Sequence, residues 1–122
     1  MKELNSVAAG DTFFGDINTN DVYCILGSCV GLLYFNEDTI GITHGRLPTD
    51  VTPQIEDALK NVTNHTLVLY GGMEGQIGDM NINAARNALR GVKYQDKTGH
   101  AVTVKNTEGL IIIEKIKDIR GE

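Results

Sequence analysis

The stretch VGLLYF-NED-TIGITH, from Val30 to His44, decides the fold. Val30 to Phe35 is a run of β-favouring residues, Asn36-Glu37-Asp38 is a turn cluster, and Thr39 to His44 alternates. Two such runs separated only by turn residues read as a β-hairpin. With a two-residue turn at Asn36-Glu37, Phe35 pairs with Asp38, and Cys29 falls directly opposite His44 on one face. Cβ atoms of such partners lie about 4.5–5.5 Å apart. A turn one residue longer pairs His44 with Val30 and leaves Cys29 on the diagonal.

Outward from the hairpin, Asp21 to Leu26 reads as a strand ending at Gly27. A helix is expected over Pro53 to Val62, with Thr52 as N-cap and Pro53 at the first helical position. Its Ile55, Ala58, Leu59 and Val62 form one apolar stripe. Thr66 to Tyr70 reads as a buried strand stopped by Gly71-Gly72. A second helix is expected over Asn81 to Arg90, stopped by Gly91. The remainder reads as strands over Val92 to Gln95, His100 to Lys105 and Leu110 to Ile116, with a turn at Glu108-Gly109. Strands dominate and the two helices sit apart in sequence. The expectation is a compact single α+β domain over residues 1–122, a mixed or antiparallel β-sheet with two flanking helices.

Composition narrows the function. The chain has 122 residues, with 11 Lys and Arg against 16 Asp and Glu, for a formal charge of −5. A hydrophobic content of 41% is too high for disorder. No apolar run approaches the roughly 18 residues of a membrane span, so no membrane insertion is expected. The acidic balance argues against a nucleic-acid partner. Met1-Lys2-Glu3-Leu4-Asn5 carries no export pattern, so a cytoplasmic location and free thiols are expected. The triplets starting at Asn61 and Asn64 then carry no weight as glycosylation signals. Cys24 and Cys29 are five residues apart, about 16 Å if extended, against a disulfide Cα limit of about 7 Å. There is no C-x-x-C pair and no histidine spacing suited to a metal, so neither metal nor cofactor is expected.

Cys29 and His44 carry the chemistry. A free thiol has a pKa of about 8.5 and is a weak nucleophile when protonated. A neighbouring imidazole accepts its proton, then protonates an amine leaving group. The pair therefore suits acyl transfer from an amide. Gly27 and Ser28 add a tight turn whose backbone N–H groups suit an oxyanion. The alternative stands beside it: Cys29 as a small core residue and His44 as a satisfied strand histidine. Cys24 reads as core, His65 as a solvated loop residue and His100 as a strand-end residue. The glycine-rich run Gly71 to Gly78 lacks the Gly-Lys-Ser/Thr ending of a phosphate loop and reads as one wall of a cleft. Glu114 to Asp118 alternates in sign and reads as a solvated strand end.

Leu26-Gly27-Ser28-Cys29-Val30, followed by His44-Gly45-Arg46-Leu47-Pro48, resembles the LGSCV and A-H-x-x-L-P segments of the chemoreceptor glutamine deamidase family, CheD. Gly71-Gly72-Met73, Ile77-Gly78-Asp79-Met80-Asn81 and Gly99-His100-x-Val102 are similar to later family elements, in order, from about Gly10 to Ile116. The resemblance implies the CheD-like cysteine hydrolase sandwich and conversion of protein glutamine side chains to glutamate, without a cofactor. It implies Cys29 as nucleophile and His44 as general base and acid. The family's orienting residue is a threonine six positions before the cysteine. That position here is Tyr23, with Thr43 as another source of a hydroxyl. His100 stands where the family has arginine. The implied partners are a chemoreceptor-like cytoplasmic region as substrate and a regulatory phosphatase of chemotaxis. A binding module that has lost the chemistry, and a cysteine hydrolase acting on another amide or ester, are the alternatives.

Overall fold

A computed structural model describes residues 3–116. Nine strands and two helices follow in the order β1 (Glu3–Ser6), β2 (Thr12–Asp16), β3 (Asn20–Leu26), β4 (Val30–Phe35), β5 (Thr39–Thr43), α1 (Pro48–Leu59), β6 (Thr66–Gly71), α2 (Gln76–Ala88), β7 (Gln95–Thr98), β8 (Val102–Thr107) and β9 (Leu110–Lys115). They build one α+β domain of two mixed sheets. The first sheet runs β1-β3-β8-β9 and the second β2-β5-β4-β6-β7. Each has one parallel pair, β1 with β3 and β6 with β7.

Strand β4 shows why the layers stack as they do. Val30, Leu32 and Tyr34 pack with Val51 and Ile55 of α1 and Ile82, Ala85 and Leu89 from α2 and its C-terminus. Leu33, on the other face, packs with Val22, Cys24 and Leu26 of β3, Ile40 and Ile42 of β5 and Val104 of β8. A strand buried on both faces is apolar throughout, which explains VGLLYF. The order is therefore sheet, sheet, helices.

The hairpin forms, but its turn is Glu37-Asp38 rather than Asn36-Glu37. Asn36 Oδ1 accepts from the N–H groups of Asp38 and Thr39, both at 2.8 Å, and locks that turn. Phe35 consequently pairs with Ile40, Tyr34 with Gly41 and Leu33 with Ile42. The shift is two residues, so every side chain keeps its face. Helix α1 starts at Pro48, not Pro53, and leaves Pro53 inside it. Proline drives the preceding residue to extended backbone, and Leu47 sits at φ −140°, ψ 162°. Helix α2 starts at Gln76, five residues before Asn81, after Gly75 at φ 143°. Val92 to Tyr94 form no strand; Val92 and Tyr94 pack against the core between the second sheet and the helices, and the edge strand is the polar Gln95–Thr98. Strands β1 and β2 are short and largely exposed. Of the alternating charge run, Lys117 and Asp118 lie outside the described residues. Among the described residues, no helix is long and apolar enough to cross a membrane.

Candidate functional site

The site forms where the chain passes between the sheets. Strand β3 ends at Leu26 and β4 begins at Val30, so Gly27-Ser28-Cys29 is the crossing. Glycines let neighbouring backbone close on it. The N–H of Gly72 donates to Cys29 O, and that of Met73 to Gly27 O, both at 2.9 Å. Gly71, at φ 93°, presses so close that a Cβ would overlap the Cys29 carbonyl. Among the described residues, the N–H groups of Ser28 and Cys29 donate to no other residue.

The expected direct pairing of Cys29 with His44 does not form. Val30 and Gly45 exchange two backbone hydrogen bonds of 3.0 Å. Cys29 therefore lies across from Arg46, and His44 across from Gly31. The two remain diagonal neighbours on one face, a relation that places Cα atoms about 7–8 Å apart. The longer turn is the cause. Beside His44 the Leu32 N–H donates to Thr43 Oγ1 at 2.8 Å.

His44 is 6% exposed, and its Nδ1 lies 2.8 Å from Val7 O and 3.4 Å from Cys24 Sγ. A carbonyl only accepts, so Nδ1 carries the proton and donates to Val7, leaving Nε2 as the basic nitrogen. Among the described residues the Cys29 thiol forms no hydrogen bond with His44. Tyr23 alternates with the buried Val22 and Cys24, so it faces away from the inter-sheet core. Thr43 Oγ1 accepts from the Leu32 N–H, and among the described residues it forms no hydrogen bond with His44. The group on the ring's far nitrogen is thus the Val7 carbonyl, delivered by the segment after β1. Sequence reading missed it because a backbone carbonyl belongs to every residue type; only the parallel pairing of β1 with β3 places it there.

Burial pushes the Cys24 thiol up to about 12, and the nearby Cys29 adds to that. Cys29 is half-buried. Burial raises its pKa first, Arg46 pulls it down, Asp50 pushes it up, and its own peptide N–H lowers it.

Asn81 fastens the two halves of the site. It is fully buried, and its Nδ2 donates to Ser28 O at 3.0 Å and to Arg46 O at 2.9 Å. One amide thereby joins the residue before Cys29 to the residue two past His44. Sequence reading placed Asn81 at the start of a helix and at the end of the family-like Ile77 to Asn81 element, without a role at the site. A cavity of about 250 Å³ is lined by Ser6, Val7, Ala8, Tyr23, Cys24, Ile25 and His44. Another of about 350 Å³, beside α1, includes Phe13, Tyr34 and Gln54 but neither Cys29 nor His44. His100 lies in a bend before β8. Among the described residues, no group of three or more His, Cys, Asp or Glu side chains is placed to hold a metal ion. No protein-family model matches the chain, and no curated protein matches it.

Proposed function

We propose that the protein is a cysteine amidohydrolase of the CheD kind, converting glutamine side chains of a protein substrate to glutamate. One observation supports the reading: Asn81 and the Val30–Gly45 bridge tie the backbone around Cys29 to the backbone that follows His44. The thiol passes its proton to His44 Nε2 and the sulfur attacks the side-chain amide carbon. The N–H groups of Ser28 and Cys29, which donate to no other residue among those described, receive the oxyanion. The imidazolium returns the proton to the amide nitrogen, ammonia leaves, and a thioester remains. Water then gives a proton to Nε2 and attacks the thioester, releasing glutamate and the thiol. The proton transfer from the thiol requires the half-buried Cys29 side chain to turn toward Nε2 while Nδ1 stays on the Val7 carbonyl. The substrate proposed is a chemoreceptor-like cytoplasmic region, with a chemotaxis phosphatase as regulator.

The test is ammonia release and a one-dalton mass gain on receptor-like glutamine peptides. Cys29→Ala and His44→Ala are each expected to abolish both; full activity in Cys29→Ala removes the mechanism.

A second reading, a binding module without chemistry, is favoured by the upward push of burial on the Cys29 thiol and by the engagement of His44 with Val7 and Cys24. Alkylation separates the two. The enzyme reading expects Cys29 to react well below pH 8.5, faster than Cys24, and more slowly in His44→Ala. Slow, equal reaction of both thiols favours the module.

A further inference from the structure

We propose that Arg46 makes the Cys29 site select for carboxylates, so that the amide attacked lies beside an acidic side chain of the substrate protein. The proposal names a substrate class for the deamidase reading above and rests on Cys29 as the reacting thiol.

The register places Arg46 across from Cys29, and Asn81 holds its carbonyl. Its side chain is 61% exposed yet constrained on two sides. Nε donates to Asp50 Oδ2 at 2.9 Å, and the same oxygen accepts the Arg46 backbone N–H at 3.1 Å. The guanidinium lies over Gly10, where a Cβ would stand 3.3 Å from Cζ and 3.4 Å from Nη2. Among the described residues neither terminal nitrogen donates a hydrogen bond. The fork is thus oriented with its terminal edge unspent, the arrangement that grips a carboxylate through two parallel bonds. Asp50 and Asp11 are the acidic groups that act on Arg46, and Asp50 already occupies the other edge. Exposed Leu47, Ile77 and Met80, each 46% accessible, flank Arg46 and Asn81 along the chain and supply apolar contact for the same segment.

The test compares alkylation of Cys29 by iodoacetate, which carries a carboxylate, and iodoacetamide, which does not. Mass spectrometry assigns the product to the Cys29 peptide. Both reagents meet the same thiolate, so the ratio of their rates cancels any change in thiol ionisation. The iodoacetate-to-iodoacetamide ratio is expected to fall roughly three- to tenfold in Arg46→Ala, the loss of one nearby charge, and less in Arg46→Lys. An unchanged ratio in Arg46→Ala overturns the proposal, as does a folded wild-type protein whose Cys29 does not react with iodoacetate. Arg46→Gln serves as second variant if Arg46→Ala fails to fold. No turnover is needed, so an inactive protein with an Arg46-dependent ratio refutes the deamidase reading alone.

Discussion

At the scale of single residues, His65 departs furthest from its sequence reading. It lies in the loop before β6, as read, but its ring is engaged: the Thr63 N–H donates to Nδ1 at 2.7 Å, Nε2 meets Thr39 Oγ1 at 2.6 Å, and the Tyr34 ring stands 5.6 Å away, edge-on. A lone pair on Nδ1 is required, and burial lowers the pKa below the ordinary histidine value. Between the lowered folded pKa and the unfolded value, the unfolded chain binds more protons, so stability rises with pH. The contribution is complete above the unfolded pKa, about 6.5, and disappears as pH falls through the folded one. Thermal denaturation is expected to show a lower midpoint at pH 5 than at pH 7.5. His65→Gln should flatten that dependence; an unaltered slope would discard the assignment. Cys29 and His44 were legible as chemical types, whereas the Val7 carbonyl was not, because sequence distinguishes side chains only.

At the scale of elements, the strands of the hairpin were legible and their register was not. Asn36, Glu37 and Asp38 are all turn residues; the choice among turns fell to the Asn36 side chain, which bonds two N–H groups on one side only. Pro48 and Pro53 both suit a helix start; the helix begins at Pro48, after extended Leu47, and takes Pro53 into its interior. Gly41 shows what close packing requires. It faces Tyr34 across β4 and β5, and a Cβ there would overlap the Tyr34 ring. Gly41→Ala is expected to destabilise the protein by about 1–3 kcal/mol through overpacking, read from chemical denaturation. Asn81 belongs to this scale too, since α2 exists at the site to deliver it. Asn81→Ala removes the donor to the Ser28 and Arg46 carbonyls, a loss of about 1–3 kcal/mol. Iodoacetamide labelling of Cys29 should change with it, because the crossing loop is released from Arg46. Wild-type labelling in a destabilised Asn81→Ala would show that the amide serves stability alone.

At the scale of the whole molecule, Asn106 provides the control. It is 1% exposed, and its Nδ2 donates to Ile17 O at 3.2 Å and Asn20 O at 2.9 Å. It pairs with Val22 near the start of β3, whereas the crossing loop follows Leu26 at its end. Asn106→Ala should cost about the same 1–3 kcal/mol while leaving Cys29 labelling in the folded protein unchanged. A matched change in labelling would mean that the sandwich transmits strain along its length and that Asn81 has no special place. By itself the sequence determined the α+β class, most strand locations and the two helices. These follow from local periodicity and turn chemistry, which act over a few residues. Tertiary structure alone decided that His44 meets Val7 and Cys24, that Cys29 faces Arg46, and that one buried amide ties their loops. Those contacts join residues up to 53 positions apart, and their geometry is set by how sheets and helices pack.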